Sequence, residues 1–401
     1  MKNTSILLTL ISATLCAGLA TTASANHRSG DFPLPEIMAG GDFNHDGNID
    51  LAVNLSGFDN FTVLTGDGAG NFTIKRHVEE DTLPKAVVAG DLNNDGQLDI
   101  VAVAQWGYNV KTYLGDGAGG FEFSQEINGD GEPNRLRLAD LNKDGNLDII
   151  YNAPLENKLI IFFGIGNGRF SQSALELERY PNIFGIRVAD LNKDGNLDIA
   201  FTYFEDTTPT GSHLQILLGD GAGNFTVGQN VVINPQCNNV EFNDMNKDGN
   251  LDIILAGAGA ENDTGVFIST YLGDGAGNFT LKQALDLGTG SIKGEIGVGD
   301  FNEDGNIDVA FPLSSNGGQR GDFSTDLLMF FGDNQGNFTQ GQTVTVGKEP
   351  GSTFVGDFNK DGHLDIAETN RTDGTLSVLL GNGNGTFTTH ATIPLNAVAT
   401  P

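Results

Sequence analysis

The stretch GDLNNDGQLDIVAV, residues 90–103, decides the fold of this chain. Acidic and amide side chains alternate at Asp91, Asn93 and Asp95, a glycine follows at Gly96, and Asp99 leads into an apolar run. The phrase DxNxDGxxD, whose positions we number 1 to 9, is written seven times at separations of 49, 49, 50, 54, 56 and 57 residues. Its occurrences begin at Asp42, Asp91, Asp140, Asp190, Asp244, Asp300 and Asp357. A repeat of this length predicts an array of similar supersecondary units.

Two further marks accompany the loop phrase. A glycine-rich phrase follows each loop, from GDGAGNF at Gly66 to GNGNGTF at Gly381. A proline stands seven or nine residues before six of the loops, and only the sixth unit lacks it. Loop, glycine turn and proline together indicate that the whole unit is repeated.

Each unit has the pattern of four strands. In the second unit these are residues 86–89, small and β-branched, residues 98–104, apolar throughout, and residues 109–114 and 121–127, which alternate. A four-stranded meander repeated at about 50 residues predicts an all-β fold, a seven-bladed β-propeller of four-stranded antiparallel blades. A β-solenoid is the alternative, but calcium-binding solenoid repeats are much shorter.

The domain prediction follows from these marks. Residues 1–25 have a positive start, an apolar stretch and an AxA-type site, as in a signal peptide, and Cys16 has no lipoprotein-type context. The propeller is predicted over residues 26–396. Its blades are expected at about 33–80, 81–129, 130–178, 179–232, 233–289, 290–346 and 347–396. Export to the periplasm or the medium, as a monomer without a lipid anchor, is the corresponding expectation.

Composition restricts the partners. The 401 residues carry a formal net charge of −31, and 38% of them are apolar, which suits a folded but strongly acidic protein. Nucleic acid and anionic membrane surfaces would be repelled, and no later apolar run is long enough to span a membrane. After removal of residues 1–25, Cys237 is the only cysteine, so an intramolecular disulfide is excluded.

The loop phrase has the chemistry of a calcium site. Oxygens at positions 1, 3 and 5, a main-chain carbonyl at 7 and a carboxylate at 9 can surround Ca²⁺, and the glycine at 6 permits the tight turn. The loop differs from an EF-hand because strands flank it and position 12 is Val53, Ala102 or Tyr151 in the first three units. The candidate residues for up to seven Ca²⁺ ions are Asp42, Asn44, Asp46, Asn48, Asp50, Asp91, Asn93, Asp95, Gln97, Asp99, Asp140, Asn142, Asp144, Asn146, Asp148, Asp190, Asn192, Asp194, Asn196, Asp198, Asp244, Asn246, Asp248, Asn250, Asp252, Asp300, Asn302, Asp304, Asn306, Asp308, Asp357, Asn359, Asp361, His363 and Asp365.

The loops have two other possible interpretations, turns without a metal ion and magnesium sites. Asp, Asn and Gly are common in turns that bind no metal, but three aspartates in nine residues would then repel one another without gain. Magnesium keeps several waters and disfavours an all-protein cage. Calcium is therefore the predicted ion.

The alternation of phrases such as DFNHDGNIDLAV with LLGDGAGNFT resembles the FG-GAP/VCBS repeat family, which also forms the seven-bladed head of integrin α subunits. The resemblance covers residues 33–395. It implies that the metal loop joins the first and second strands of a blade and binds calcium. All seven units here carry the loop and no further integrin-type domain follows, so the resemblance does not extend to an integrin receptor.

The function predicted is ligand binding or adhesion, with an extracellular protein or glycan as partner. Both repeated phrases emerge on one side of the blades, so the variable loops gather on the other side, where binding usually resides. Ligand candidates there are Trp106, Tyr108, Tyr180, Phe184, Tyr203 and Arg320, although Trp106 also suits packing between blades. Arg320 begins an RGD tripeptide, which a chain of this composition can contain by chance.

Two other functional classes remain open: a carbohydrate-active enzyme or its accessory domain, and a structural surface or matrix protein. Signs of catalysis are weak. The sequence has no GxSxG elbow, and GDGAGG at Gly115 precedes a strand rather than the helix that a dinucleotide site needs.

Overall fold

The structure is a computed structural model that describes residues 35–55, 58, 60–80, 84–104, 109–129, 131, 133, 135–153, 156–171, 175–178, 180–205, 211–233, 237–258, 265–315 and 323–397. The predicted signal peptide, residues 1–25, lies outside these ranges. The described residues form 28 strands and no helix, so this part of the chain offers no helical segment that could cross a membrane.

The strands form seven four-stranded antiparallel sheets, each built from consecutive strands, which are the seven blades. Blades one to three contain β1 (Pro35–Gly41), β2 (Asp50–Leu55), β3 (Asn60–Gly66), β4 (Phe72–Glu79), β5 (Pro84–Gly90), β6 (Asp99–Ala104), β7 (Asn109–Gly115), β8 (Phe121–Asn128), β9 (Leu136–Ala139), β10 (Asp148–Ala153), β11 (Lys158–Phe162) and β12 (Leu175–Glu178). Blades four and five contain β13 (Ile183–Ala189), β14 (Asp198–Phe204), β15 (Ser212–Gly219), β16 (Phe225–Ile233), β17 (Cys237–Asn243), β18 (Asp252–Ala258), β19 (Gly265–Gly273) and β20 (Phe279–Thr289). Blades six and seven contain β21 (Gly297–Gly299), β22 (Asp308–Leu313), β23 (Asp326–Gly332), β24 (Phe338–Thr345), β25 (Pro350–Gly356), β26 (Asp365–Asn370), β27 (Thr375–Gly381) and β28 (Phe387–Pro394).

The predicted fold class is confirmed, and burial explains why each strand takes its place. First strands contact one another around the central axis, as β1 does with β5 and β25. Second strands are buried on both faces, and every residue of β2 is buried. Outer strands alternate, with Phe72, Ile74 and Val78 of β4 turned inward while Lys75 is exposed. Small residues at the axis are required by space, because a Cβ on Gly40 would lie 2.2 Å from the ring of Phe354.

Blade one packs directly against blade seven and closes the ring. The rings of Phe72 and Phe358 meet edge to face with centroids 5.2 Å apart, and the Gly70 N–H donates to the Phe358 carbonyl at 3.1 Å. Buried side chains of both blades, such as Leu51 and Val378, share one apolar cluster. Because each described sheet is formed by consecutive strands, closure depends on this packing.

Candidate metal centre

The loop between the first and second strands is organised by its own side chains. In blade two, Asp91 accepts the N–H groups of Asp95 and Gly96 at 3.1 and 2.8 Å, and Asn93 accepts the Asp95 N–H at 2.9 Å. The Asp95 carboxylate in turn accepts the Gln97 N–H at 2.8 Å. The same bonds recur in the other six loops. Side-chain oxygens at positions 1, 3 and 5 are thereby turned towards the inside of each loop.

Backbone conformation at two loop positions is left-handed. Gly96, at position 6, has φ +86°, which a glycine adopts without steric cost. Position 4 is also left-handed although it is never glycine, and Asn94 there has φ +60°. Lys143 and Lys193, at the same position of the next two loops, have φ +57° and +61°. The loop therefore holds a local strain that its hydrogen bonds and its surroundings must maintain.

The carboxylate at position 9 joins the two repeated phrases. Asp99 is fully buried, and its two oxygens accept the Leu92 and Gly115 N–H groups, both at 2.8 Å. Gly115 opens the glycine-rich phrase, so one carboxylate fixes the loop to the third strand. All seven residues at position 9 are fully buried and bonded in this way.

The loops place three carboxylates close together. Burial raises the pKa of Asp50 to about 6; main-chain hydrogen bonds oppose the shift, and the nearby carboxylates of Asp46 and Asp42 add to it. Asp148 and Asp308, at the same position of two other loops, have their pKa raised to about 6 for the same reasons. A dication between such carboxylates would relieve their mutual repulsion.

Calcium requires six to eight oxygen ligands around one point. Within the described residues, no group of three or more Asp, Glu, His or Cys side chains is already arranged to hold a metal ion. The loop side chains at positions 1, 3, 5 and 9 are nevertheless all oxygen donors, as Ca²⁺ prefers. A carboxylate oxygen that accepts one N–H keeps a further lone pair for a cation. The residues present therefore have the donor chemistry that a calcium ion requires.

The seventh loop differs at position 12 from the first three units, which have Val53, Ala102 and Tyr151 there. Glu368 stands there, where an EF-hand has its bidentate glutamate. The side chain lies on β26, is fully buried and accepts the Thr353 hydroxyl at 2.6 Å. It is therefore part of the blade interior and does not close the loop.

Positions 4 and 7 form contacts between blades that the sequence interpretation missed. Lys143 donates to Asn196 and Lys193 donates to Asn250, each at 2.6 Å, and in both pairs position 4 of one loop reaches position 7 of the next. Asn94 donates to Asn146 at 3.2 Å in the same way. These position 7 side chains are thus engaged between blades, and only their main-chain carbonyls are candidates for the metal.

The polarity of this contact is reversed between blades six and seven. Position 4 is the acceptor Glu303, and position 7 is His363, whose Nδ1 bonds the glutamate carboxylate. In this pair the acceptor is at position 4 and its partner is at position 7, the reverse of the lysine–asparagine pairs. A comparison of positions 4 and 7 in neighbouring units, rather than within one unit, was the signal that would have predicted the contact.

The glycine-rich phrase also clamps the preceding blade. The Gly119 N–H donates to the Phe43 carbonyl at 3.0 Å, and the Gly168 N–H donates to the Leu92 carbonyl at 3.2 Å. An aromatic pair joins the same two blades, since the rings of Phe43 and Phe121 meet edge to face with centroids 5.5 Å apart. Both repeated phrases therefore act in blade packing as well as in turn formation.

The six ligand candidates have different surroundings. Trp106, Tyr108 and Arg320 lie outside the described residues. Tyr203 is 6% exposed and stacks on His213 with centroids 4.8 Å apart, so its ring offers little surface to a ligand. Tyr180 is half-buried against Phe201 and Tyr203, whereas Phe184 lines a cavity on the central axis.

A known repeat family matches three segments of this chain. The FG-GAP-like repeat matches residues 42–102, 140–201 and 244–311, which together include six of the seven loops. The chain carries FG-GAP-like repeats. The resemblance inferred from the two phrases is thus confirmed, and the seventh loop shares the geometry of the other FG-GAP loops.

Solved structures show the same fold at low sequence identity. A protein from Lactobacillus plantarum is 11% identical, with a TM-score of 0.62 over 92% of this chain and 97% of its own. A proposed 6-phosphogluconolactonase from Bacteroides fragilis is 13% identical, with a TM-score of 0.60 over 90% and 94%. BBS1N, in a complex with ARL6DN, is 8% identical, with a TM-score of 0.56 over 92% and 94%. No curated protein matches this chain by sequence. At these identities the likeness concerns the fold alone.

Proposed function

We propose that this chain is an exported calcium-binding propeller that serves as a ligand-binding or adhesion module for an extracellular protein or glycan. The observation that carries the proposal is the repetition of one loop seven times on one side of the blades, with oxygen donors turned inward each time. The same oxygen donors recur in all seven loops, and cation binding in each loop would explain why.

Calcium in these loops would act structurally. Each loop connects the buried second strand to the first strand at the axis, and the loops of blades two, three, four and six bond the next blade through position 4. An ion that fixes the loop would also fix these contacts, so that the ring becomes a rigid support. The loops on the opposite side can then differ in length and sequence, which suits them to bind a ligand.

The ligand-binding proposal is tested on protein and glycan arrays. The mature chain, beginning near Asn26, is applied with calcium and with excess chelator, and the Asp95→Asn variant is applied with calcium. Retention on defined spots that is lost with chelator supports a calcium-supported binding module. A folded, calcium-loaded protein that is retained nowhere contradicts the binding role and favours a structural one.

Export is tested separately. Expression with residues 1–25 should give an extracytoplasmic protein whose N-terminal residue is near Asn26. An uncleaved chain that stays in the cytoplasm contradicts the proposed location.

A further inference from the structure

The sixth repeat departs from the others at the central axis. Its first strand, β21, has three residues, whereas the first strands of five other blades have seven. This is also the unit that lacks the proline. The segment before β21 crosses to the opposite blades, because Glu295 lies 2.5 Å from Arg137 of blade three and 3.6 Å from Arg187 of blade four.

This segment closes the axis. Arg187 is also paired with Glu241 of blade five, so two arginines and two glutamates form a balanced network. The Gly294 carbonyl accepts the side-chain N–H of buried Asn239 at 2.9 Å. A Cβ on Gly294 would lie 2.3 Å from the Gly351 carbonyl oxygen, so only a glycine fits there. These ion pairs join blades three, four, five and six across the central axis.

A cavity of about 260 Å³ lies on the axis at the end away from the calcium-candidate loops. Among the described residues seven line it, one from each blade: Ile37, Lys85, Arg135, Phe184, Asn238, Lys293 and Arg371. Four of these seven carry a cationic side chain. Four cations at one point are notable in a chain with 21 Lys and Arg and a net charge of −31.

The lining suits a particular chemistry. Guanidinium groups, as in Arg135 and Arg371, bind carboxylate, sulfate or phosphate through paired hydrogen bonds, and lysines add mobile positive charge. Phe184 and Ile37 provide an apolar wall for the body that carries the anionic group. The volume is well above what a single water molecule needs and leaves room for a small organic acid or an acidic monosaccharide.

We propose that this axial cavity is a binding site for a small molecule that carries an oxyanion, a carboxylate or a tetrahedral sulfate or phosphate group. The proposal deepens the proposed function by naming a ligand class, and it rests on that function only in assigning recognition to the end away from the metal loops. Lys85, Arg135 and Arg371 are half-buried, so solvent ions screen their attraction for an anion less than they would for fully exposed charges.

The test is calorimetric titration of the calcium-loaded full mature chain with sodium sulfate and, separately, with sodium D-glucuronate, each at constant ionic strength set with chloride. The wild-type protein should give saturable binding at one site for at least one anion. The tighter of the two identifies a tetrahedral or a carboxylate group as the preferred ligand.

Variants locate the site. Lys85→Gln should weaken binding about tenfold, because one charge-assisted hydrogen bond is lost. Lys75→Gln removes the same charge from an exposed position on β4 and should leave the affinity unchanged. Melting temperatures confirm that both variants are folded. Absence of saturable heat with either anion, or equal weakening in both variants, overturns the proposal.

The calcium and anion proposals fail separately. Asp95 lies at the opposite end of blade two from Lys85. The Asp95→Asn variant should therefore retain anion binding and bind one calcium ion fewer. Lys85→Gln should retain all the calcium. Anion binding without calcium binding would contradict only the metal assignment, and calcium binding without anion binding would contradict only the axial site.

Discussion

The aspartates of one loop have two different roles at the scale of the residue. Asp99 is buried and accepts two main-chain N–H groups, whereas Asp95 lies at the exposed end and accepts one. Asp99→Ala should lower the free energy of unfolding by on the order of 3 kcal/mol, with or without calcium, because two buried donors lose their acceptor. Asp95→Asn keeps an oxygen for the turn, so it should destabilise only the calcium-loaded protein.

Chemical denaturation with calcium and with chelator measures both effects. Asp116→Asn is the matched control, since Asp116 also accepts turn N–H groups in blade two but belongs to the glycine-rich phrase. Equal loss of stability in Asp95→Asn with and without calcium would assign that residue to turn formation alone.

Glu368 is expected to make the stability of the protein depend on pH. Burial raises its pKa from 4.5 to about 8, although the Thr353 hydroxyl opposes this, and Oε1 has no hydrogen-bond partner in the described part of the chain. The folded state therefore retains the proton more strongly than the unfolded state, and the contribution to stability is lost as the pH rises from 4.5 through 8.

Glu368→Gln should therefore stabilise the protein at pH 8 to 9 by on the order of 2–4 kcal/mol, with the advantage shrinking towards pH 5. Urea unfolding across this range measures it. Glu122→Gln, at an exposed position on β8, is the control and should change little. A Glu368→Gln variant that is no more stable at pH 9 than at pH 5, relative to wild type, contradicts the buried proton.

At the scale of the element, adjacent blades are joined by a buried ion pair. Lys111 of β7 lies 3.0 Å from Glu80, which follows β4, and their side chains are only 7% and 2% exposed. Lys111→Met should destabilise the protein by about 3–5 kcal/mol, because it leaves a buried carboxylate without this partner. The double variant Lys111→Met/Glu80→Leu should recover much of the loss.

The exposed pair Lys348–Asp373, at 3.8 Å, provides the comparison, and Lys348→Met should cost less than about 1 kcal/mol. Thermal and urea unfolding measure all of these variants. Similar losses from Lys111→Met and Lys348→Met would show that the buried pair has no special role.

Strand positions were largely predictable from sequence because they follow local patterns. The four strands predicted in the second unit agree with β5 to β8 within two residues at each end. The reach of Glu295 across the axis was not predictable, because its partner Arg137 is 158 residues away in sequence and only ring geometry brings them together. The contact of Lys143 with Asn196 depends in the same way on the neighbouring blade.

At the scale of the whole molecule, stability is expected to depend on calcium. One site at ten times its dissociation constant adds about 1.4 kcal/mol, so seven sites add on the order of 10 kcal/mol, comparable to the stability of a domain. Excess chelator should lower the melting temperature strongly, in a manner that depends on free calcium. A melting temperature that does not change between chelator and millimolar calcium would contradict a structural role for the ion.

The number of bound ions tests the central claim most directly. Equilibrium dialysis against calcium, with metal analysis of the protein, should give seven ions per wild-type chain, six for Asp95→Asn and seven for Asp116→Asn. The loss of one ion in one variant would assign that ion to the loop of blade two. A wild-type chain that binds no calcium, or an Asp95→Asn variant that binds as many ions as wild type, would contradict the assignment of these loops as metal sites.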